Sequence, residues 1–453
     1  MIESINPATE ERVEAYEAWS DSELESALEA THAAWREWRG TSFGHRADLM
    51  RRAGRVLRDR ADTYARIATL EMGKPITGAK AEVEKCALGC DYYADTAASH
   101  LGIENVKTDA TKSYVRYDPI GVILAVMPWN FPFWQVFRFA APALMAGNGG
   151  ILKHASNVTG CALAIEDVFR RAGFPESLFR TLLISSARVA GVIDDDRVAA
   201  VTLTGSEGAG MAVGGQAGKS IKPSVLELGG SDPFIVLGDA DVESAARVAA
   251  QSRTVNSGQS CIAAKRFVVV ESVADAFLSA FEREMAALRM GDPLDAGTVI
   301  GPQARGDLRD ELHAQVSKSV SAGARCVLGG EIPKGKGYFY PATVLADVRA
   351  GMPAYDEELF GPVAGVIRAR DTDDAIRIAN DSRFGLGSSL WTRDSGNAES
   401  LAARIEAGCV FVNSLVKSDP RLPFGGIKKS GYGRELSRQG IQAFVNTKSV
   451  FIA

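Results

Sequence analysis

Cysteine and histidine are scarce in this chain of 453 residues, which contains six cysteines and five histidines. The cysteines are scattered and do not resemble a disulfide framework, so we expect a protein of the reducing cytoplasm. No spacing of histidine and cysteine suits a metal site, and we therefore predict no bound metal. Cys86 and Cys90 lie four residues apart in a helical segment. They are expected to be buried small hydrophobic side chains rather than ligands.

Positive charge is also in deficit, because the formal net charge is −5. Charged residues make up 24% of the chain and hydrophobic residues 46%. Binding to nucleic acid or to a membrane surface needs a basic surface, so neither partner is predicted. No segment approaches the roughly 20 apolar residues of a spanning helix. Residues 1–7 have neither a basic start nor an apolar stretch, so we expect no signal peptide. The resulting expectation is a soluble cytoplasmic protein.

The order of apolar and helical segments predicts an α/β fold. The chain is too long for one ordinary core, so two or three domains are expected. Apolar runs bounded by glycine or proline suit buried parallel strands, and segments of helical periodicity separate them. The predicted strands are 121–127, 149–153, 198–203, 234–237 and 266–270, and the predicted helical stretches are 21–71, 137–145, 163–171 and 242–252. Because the alternation restarts after Gly230, we predict two parallel-sheet α/β domains joined near Gly229 and Gly230.

Two short segments carry candidate catalytic residues. Cys261 follows Asn-Ser-Gly-Gln-Ser, whose small side chains leave the sulfur accessible as a nucleophile. Glu227 is followed by Leu-Gly-Gly, a turn that lets the carboxylate reach a cleft as a general base. Either residue alone is more often ordinary, as a buried inert cysteine or a charge at a loop end. Together they indicate covalent thiol catalysis followed by attack of water.

These segments, 226–231 and 256–265, resemble the aldehyde dehydrogenase superfamily, as do 128–132 (Pro-Trp-Asn-Phe-Pro) and 357–363 (Glu-Glu-Leu-Phe-Gly-Pro-Val). The matching motifs run in order from about residue 6 to residue 449, nearly the whole chain. The resemblance implies a dinucleotide-binding domain (1–103 and 120–229), a catalytic domain (230–429) and a β oligomerisation arm (104–119 and 430–453). In that arm the β-like runs 114–117 and 443–452 pair and contact a neighbouring subunit. A homodimer or a homotetramer is therefore expected.

The resemblance assigns the chemistry to three residues. Cys261 adds to an aldehyde, the side-chain amide of Asn130 stabilises the alkoxide, and Glu227 activates water against the resulting thioester. Losing one such amide donor typically costs about 10²–10³-fold in rate. Relatives that pass the acyl group to coenzyme A usually lack this base, so Glu227 favours the acid-forming reaction. The alternative from a different class is a catalytically silent binding homologue, which the presence of all three residues disfavours.

A glycine turn predicts the cofactor site. Residues 204–210, Thr-Gly-Ser-Glu-Gly-Ala-Gly, follow a predicted strand and open a helix, whose N-terminus favours an anion. Alone the turn is as often an ordinary connection, but the resemblance implies pyrophosphate binding there. Ser156 stands where NAD-preferring relatives usually carry glutamate, so NADP is the expected cofactor and NAD remains possible. The implied cofactor-binding residues are Trp129, Lys153, Ser156, Gly205, Ser206, Gly210, Leu228, Gly229, Glu358 and Phe360.

The resemblance extends to the shorter bacterial succinate-semialdehyde dehydrogenases. Arg138 lies eight residues after Asn130, the offset at which those enzymes hold the distal carboxylate of the substrate. A second arginine expected six residues before the nucleophile is replaced by Val255, so glutarate semialdehyde or a broad aliphatic range stays open. Arg253 and Arg421 are candidate replacements for that second arginine. The implied substrate-binding residues are Arg138, Ser418, Trp134, Phe131 and Arg421.

Overall fold

Strands and helices alternate along the chain in the computed structural model, which describes residues 1–453. The strands are β1 (Ile2–Ile5), β2 (Arg12–Tyr16), β3 (Glu104–Asn105), β4 (Lys112–Pro119), β5 (Val122–Met127), β6 (Gly149–His154), β7 (Phe179–Thr181), β8 (Val198–Thr204), β9 (Ser224–Glu227), β10 (Pro233–Val236), β11 (Arg266–Val270), β12 (Arg325–Leu328), β13 (Thr343–Ala346), β14 (Val363–Ala369), β15 (Phe384–Gly385), β16 (Gly387–Trp391), β17 (Cys409–Val412), β18 (Ile427–Lys428), β19 (Gly431–Tyr432) and β20 (Val445–Ile452). Every strand expected from an apolar run is present, with ends that differ by one residue at most.

The helices cover the stretches that the periodicity predicted, with three separate helices between residues 21 and 72. They are α1 (Asp21–Trp38), α2 (Phe43–Asp59), α3 (Ala61–Met72), α4 (Ile76–His100), α5 (Trp134–Ala146), α6 (Thr159–Ala172), α7 (Val189–Asp194), α8 (Glu207–Lys219), α9 (Val242–Thr254), α10 (Glu271–Ala286), α11 (Gly306–Ser321), α12 (Pro353–Asp356), α13 (Thr372–Asn380), α14 (Ser395–Ala402) and α15 (Ser437–Gln442). Helix α1 begins with a capping box, in which Ser20 and Glu23 satisfy each other's backbone N–H groups. None of the helices combines the length and the apolar character needed to cross a lipid bilayer.

The first sheet has the strand order β19-β9-β8-β5-β6-β7. Strands β5 to β9 run parallel, and only the short β19 is antiparallel. The chain builds outward from β5 through β6 to β7 and then returns to the other side of β5 with β8. The strand order therefore reverses between β5 and β8, and the crevice at the carboxyl ends of such strands is where open α/β sheets bind ligands.

The second sheet has the order β12-β13-β14-β11-β10-β16-β17 and is parallel except for β12. The chain passes from the first sheet to the second between Glu227, which ends β9, and Pro233, which begins β10. Both sheets have buried central strands, as expected for parallel strands covered on both faces. The predicted architecture of two parallel-sheet α/β units is confirmed.

The C-terminal strand β20 forms a separate small sheet with β4 and β3. Strand β20 pairs antiparallel with β4 along its whole length, from Val445 opposite Pro119 to Ile452 opposite Lys112. The expected pairing of these distant segments is therefore confirmed. The preceding part of the predicted arm joins the first unit instead, because β19 extends its sheet and α15 packs on α4 and α5.

Candidate active site

Three loops at the carboxyl edge of the first sheet meet around one cavity. The loops follow β5, β8 and β9, so they carry Asn130, Gly205 and Gly229 to the point where the strand order reverses. The cavity has a volume of about 450 Å³, and its wall includes Cys261 from the second unit together with Glu358. The fold thus brings candidate residues from both halves of the chain to one cleft.

The nucleophile loop has a strained backbone. Asn256 and Ser257 adopt left-handed conformations with φ of 53° and 57°. Gly258 has φ of 76°, and a Cβ atom there would lie 2.3 Å from the carbonyl of Gly361. Such strain costs on the order of 1–3 kcal/mol per residue and persists only where packing over-determines it. The loop that presents Cys261 is therefore held in a single shape.

Two buried basic side chains support the same loop from below. Arg253 donates from Nη2 to the carbonyl oxygen of Gly258 at 2.7 Å. Lys265 donates from Nζ to the carbonyl oxygens of Ser260 at 2.9 Å and Cys261 at 2.6 Å. Both side chains therefore lie beneath the loop. Neither Arg253 nor Lys265 lines either of the two large cavities.

The side-chain amide of Asn130 is oriented by its neighbours. Its Oδ1 accepts from Nε2 of Gln135 at 3.1 Å, which leaves Nδ2 as the group that faces the nucleophile loop. That Nδ2 donates to the carbonyl oxygen of Gln259 at 3.0 Å and keeps a second hydrogen. Gln135 also lines the cavity, and sequence reasoning missed it because its partner contact depends on the start of α5. The arrangement suits donation to an oxyanion.

Glu227 is a buried carboxyl group without a hydrogen-bond partner. Its side chain is 2% exposed, and neither carboxyl oxygen bonds to a protein group. Burial raises the pKa of Glu227 well above its usual range, and the cation of Arg138 opposes that rise. The carboxyl group needs a glycine beside it, because a Cβ atom on Gly425 would lie 2.6 Å from Oε1. The two carboxyl oxygens of Glu227 are therefore free to accept from an incoming water.

Burial also controls the candidate nucleophile. The pKa of Cys261 is raised to about 12 by desolvation, with Lys265 and Arg138 as the cations that oppose the rise. The resting residue is therefore a thiol at neutral pH, and the thiolate forms only when charge or a base is brought against it. Cys261 is half-buried, whereas Cys86, Cys90 and Cys161 are fully buried, as expected for Cys86 and Cys90.

The glycine turn has the geometry needed for a dinucleotide. Ser206 caps α8, with Oγ accepting from the N–H of Ala209 at 3.3 Å, and Gly205, Ser206 and Gly208 line the cavity at the start of this helix. A Cβ atom on Gly210 would lie 2.6 Å from Leu228, and one on Gly229 would lie 2.3 Å from Oε2 of Glu358. These close approaches need glycine, and the residues present fit a pyrophosphate and a ribose.

The opposite end of the expected cofactor site lies one strand further along the sheet. Lys153 lies within β6 and donates from Nζ to the carbonyl oxygen of His154 at 2.7 Å. Ser156 is exposed and begins a short 3-10 helix just after that strand. Both lie at the sheet edge shared with β5, although they border a separate small pocket rather than the main cavity. The rings of Trp129 and Phe360 both line the main cavity and pack edge to face, with their centroids 5.7 Å apart.

The chain is similar to known proteins along its whole length. A profile of the aldehyde dehydrogenase family matches residues 1–450. The chain belongs to the aldehyde dehydrogenase family. Succinate-semialdehyde dehydrogenase 1 (NADP+) of Mycobacterium tuberculosis is 52% identical over 455 residues, with 100% of each chain covered.

Solved structures of family members superpose closely on this chain. The NADP+ complex of succinic semialdehyde dehydrogenase from Streptococcus pyogenes has a TM-score of 0.98 at 38% identity, with 100% of each chain covered. Succinate-semialdehyde dehydrogenase from Burkholderia pseudomallei has a TM-score of 0.96 at 32% identity, covering 100% of this chain and 94% of the other. The fold expected from the sequence motifs is thereby confirmed.

A second cavity of about 440 Å³ lies across the Asn130–Phe131 segment from the first. Phe131 and Trp134, both expected to bind substrate, form part of its wall, and Val255 lines it where a second arginine was expected. Ser418 lies behind this wall, and its Oγ accepts from Nε1 of Trp134 at 2.9 Å. The structure thus brings three of the five predicted substrate residues together.

The two predicted substrate arginines lie elsewhere. Arg138 is buried in an ion pair with Glu435, donates to Oγ1 of Thr204 at 3.2 Å and stacks on the Phe424 ring. Arg421 is exposed and pairs with Asp419 at 2.6 Å. Neither side chain lines the second cavity. The binding role expected for them stays a prediction.

The cations that do line the second cavity are Lys74 and Lys85, which the motif comparison missed. Lys74 pairs with Glu82 in a buried ion pair. Lys85 donates from Nζ to Oγ of Ser418 at 2.7 Å. No local pattern could reveal this contact, since the two residues lie 333 positions apart.

Proposed function

We propose that this chain oxidises succinate semialdehyde to succinate, with NADP preferred over NAD. The observation that carries the proposal is that Cys261 and Asn130 line one cavity, with Glu227 buried at the end of β9 directly before the lining residues Leu228 and Gly229. A second cavity beside it has donor groups suited to a carboxylate. Full-length relatives at 52% identity that bear the name succinate-semialdehyde dehydrogenase (NADP+) support the substrate and the cofactor.

Addition to the aldehyde is the step assigned to Cys261. The thiol first gives its proton to solvent. The sulfur then forms a bond to the carbonyl carbon while the π electrons move to oxygen, giving a tetrahedral alkoxide. The Nδ2 hydrogen of Asn130 that is not used by Gln259, with the backbone N–H of Cys261, stabilises that charge. When bound, the nicotinamide cofactor supplies the acceptor for the hydride that the adduct must lose.

Glu227 acts on the thioester that remains on Cys261. In its carboxylate form it takes a proton from water as the oxygen adds to the acyl carbon. The C–S bond then breaks, the acid leaves, and the sulfur is protonated again. The lack of protein partners around Glu227 leaves its carboxyl oxygens available to that water. A base in this position favours release of a free acid over transfer to a thiol.

Preference for NADP is proposed from the residues at the end of β6. Ser156 offers a hydroxyl where a glutamate would repel a 2′-phosphate, and Lys153 adds a positive charge nearby. Gly205, Ser206, Gly210, Leu228 and Gly229 would hold the pyrophosphate, and Glu358, Phe360 and Trp129 would flank the nicotinamide end. We also propose a cytoplasmic homodimer or homotetramer assembled through β4 and β20.

A substrate panel tests the proposal. We expect kcat/KM for succinate semialdehyde with NADP to exceed that for butanal by at least about 10-fold, the gain from one charge-assisted contact. Glutarate semialdehyde should rank between them, and NAD should support slower turnover. Equal kcat/KM values for all three aldehydes would instead indicate the broad-range enzyme that Val255 leaves open. Absence of reduced cofactor with every aldehyde would indicate a silent homologue.

The acid-forming assignment has its own test. Glu227→Gln should release one equivalent of reduced cofactor per subunit and then stall, because the thioester can no longer be hydrolysed. Mass spectrometry of the stalled protein should find the acyl group on Cys261. Loss of the burst itself would contradict this role and indicate that Glu227 acts before hydride loss.

A further inference from the structure

The second cavity contains one positive charge that no protein anion neutralises. Lys85 lines this cavity from helix α4, and no carboxylate within residues 1–453 forms an ion pair with it. Its Nζ lies 4.5 Å from the centroid of the Trp134 ring and donates to Oγ of Ser418. A partly buried ammonium group without a counter-charge is unfavourable, and a ligand that supplies the counter-charge would stabilise it.

Every other basic candidate near the cavity is already occupied. Arg138 pairs with Glu435, Lys74 with Glu82 and Arg421 with Asp419. Arg253 donates a hydrogen bond to the carbonyl oxygen of Gly258 beneath the nucleophile loop. Recruiting any of these to a substrate would break an existing contact, whereas Lys85 needs no such exchange.

The groups around Lys85 form a set of donors. Oγ of Ser418 accepts from both Lys85 and Nε1 of Trp134, so its own hydrogen is directed away from these two donors. Lys85 uses one of its three N–H bonds for this contact. A carboxylate entering the cavity would therefore meet the ammonium group of Lys85 in the wall, with the Ser418 hydroxyl directly behind it. The aromatic ring of Trp134 would exclude water from this contact.

We propose that Lys85 is the cation that holds the distal carboxylate of the substrate, in place of the arginine that Val255 replaces. Lys85 is positioned by Ser418 and by stacking on Trp134, and it selects semialdehydes that carry a negative charge over neutral aldehydes. This inference rests on the proposed function, since it names the residue that gives that function its substrate class.

Charge removal at Lys85 tests the assignment against a matched control. Lys85→Met keeps the aliphatic stem, and Lys80→Met makes the same change on the same helix at an exposed pair with Asp62. We expect Lys85→Met to lower kcat/KM for succinate semialdehyde by about 10–100-fold, the effect of one charge-assisted contact. Butanal has the same carbon chain without the carboxylate and should be unaffected. Lys80→Met should leave both substrates unchanged.

The pH dependence of the wild-type protein is a second test, and it does not require the Lys85→Met variant to fold. Burial, with Arg138 nearby, lowers the pKa of Lys85 to about 8, while Cys86, Glu82 and Asp419 oppose that fall. The succinate semialdehyde to butanal ratio of kcat/KM should therefore fall as pH rises through 8, because neutral Lys85 cannot attract the carboxylate. In Lys85→Arg the ratio should stay constant over this range, since arginine remains charged. Taking the ratio cancels the ionisation of Cys261 and Glu227.

The outcomes separate the two proposals. A wild-type ratio near one would overturn the proposed substrate class itself. A high wild-type ratio that Lys85→Met leaves unchanged would overturn only the role of Lys85, and equal losses on both aldehydes would have the same meaning. If Arg138→Ala lowers the ratio and Lys85→Met does not, Arg138 is the carboxylate-binding residue. A lowered ratio in Lys85→Met, with the pH-dependent fall absent from Lys85→Arg, supports the assignment.

Discussion

Burial, more than hydrogen bonding, determines the pKa values of Cys261 and Glu227. Cys261 and Glu227 both have raised pKa values with desolvation as the main cause, and both are near the cation of Arg138. Burial therefore disfavours the charged form of both side chains, and the site becomes reactive when a proton is removed from Cys261. Lys265 is the cation that donates directly to the carbonyl oxygen of Cys261.

Lys265 should set how readily the thiol ionises. Its ammonium group opposes the rise in the pKa of Cys261, so Lys265→Met should raise that pKa further. Without cofactor, alkylation of Cys261 by iodoacetamide at pH 8 should slow by about 10-fold, the effect of one pKa unit. The alkylation rate should then rise only at higher pH.

Two variants control this measurement. Lys265→Arg keeps the charge and should alkylate at close to the wild-type rate. Glu358→Gln should alkylate faster, because Glu358 contributes to raising the pKa of Cys261 and pairs with Lys265 at 3.1 Å. Equal rates in Lys265→Met and wild type would show that Lys265 has only a structural role.

Ser156 is the residue on which the cofactor preference should depend. Ser156→Glu adds a carboxylate that repels a 2′-phosphate and accepts from a 2′-hydroxyl. We expect KM for NADP to rise by about 10-fold or more, the effect of roughly 1.4 kcal/mol, while KM for NAD is spared or improved. Ser156→Gln, which adds length without charge, separates electrostatic repulsion from steric hindrance. An unchanged ratio of the two KM values would show that residue 156 does not face the ribose.

At the scale of elements, helix α5 depends on a residue of helix α4 for its start. No side chain of its own caps α5. Instead Oε1 of Glu82 accepts from the N–H groups of Phe133 and Trp134, both at 2.9 Å, and its other oxygen pairs with Lys74. The helix so capped presents Trp134, Gln135 and Arg138, so the cap orients residues of both cavities.

Glu82→Gln should therefore destabilise the protein strongly. It leaves Lys74 as an uncompensated buried charge, and breaking a buried pair in this way typically costs about 3–5 kcal/mol. We expect a clear fall in the free energy of unfolding measured with denaturant. The double variant Lys74→Met with Glu82→Gln should recover part of the loss, because no lone charge remains. Asp62→Asn, at an exposed pair, should change stability by less than about 1 kcal/mol.

At the scale of the whole molecule, β4 and β20 form a sheet with an exposed apolar end. Phe451 is 58% exposed and Ile452 is 47% exposed, although both belong to a strand with eight paired residues. Strand β20 pairs only with β4 and contributes nothing to the two large sheets. Removal of this strand should therefore spare the fold while removing the proposed contact between subunits.

Deletion of residues 445–453 should lower the molar mass measured by light scattering to that of a smaller assembly or a monomer. The circular dichroism spectrum and the turnover of succinate semialdehyde should persist, because the cleft lies in the two large units. An unchanged molar mass would show that β20 is not required for assembly. Loss of the circular dichroism signal would contradict the independence of the arm from the fold.

The sequence by itself determined the features that depend on neighbouring residues. The apolar run before Pro128 suited a buried strand, and the four segments around Asn130, Glu227, Cys261 and Glu358 together indicated the family. The glycine turn before α8 is also local, since its chemistry depends on backbone N–H groups next to one another in the chain. These signals are strong because strand burial, turn geometry and motif spacing extend over only a few residues.

Only the tertiary structure decided which charges are free to bind a ligand. Arg138 matches the motif position for substrate binding, yet Glu435 from the far end of the chain already neutralises it. Lys85 belongs to no motif, yet it lines the second cavity without an ion-pair partner. Helix α5 is buried on every side, so the spacing of apolar residues in its sequence indicates no preferred face. Pairing between charges depends on contacts hundreds of residues apart, and the packing of distant elements therefore determines it.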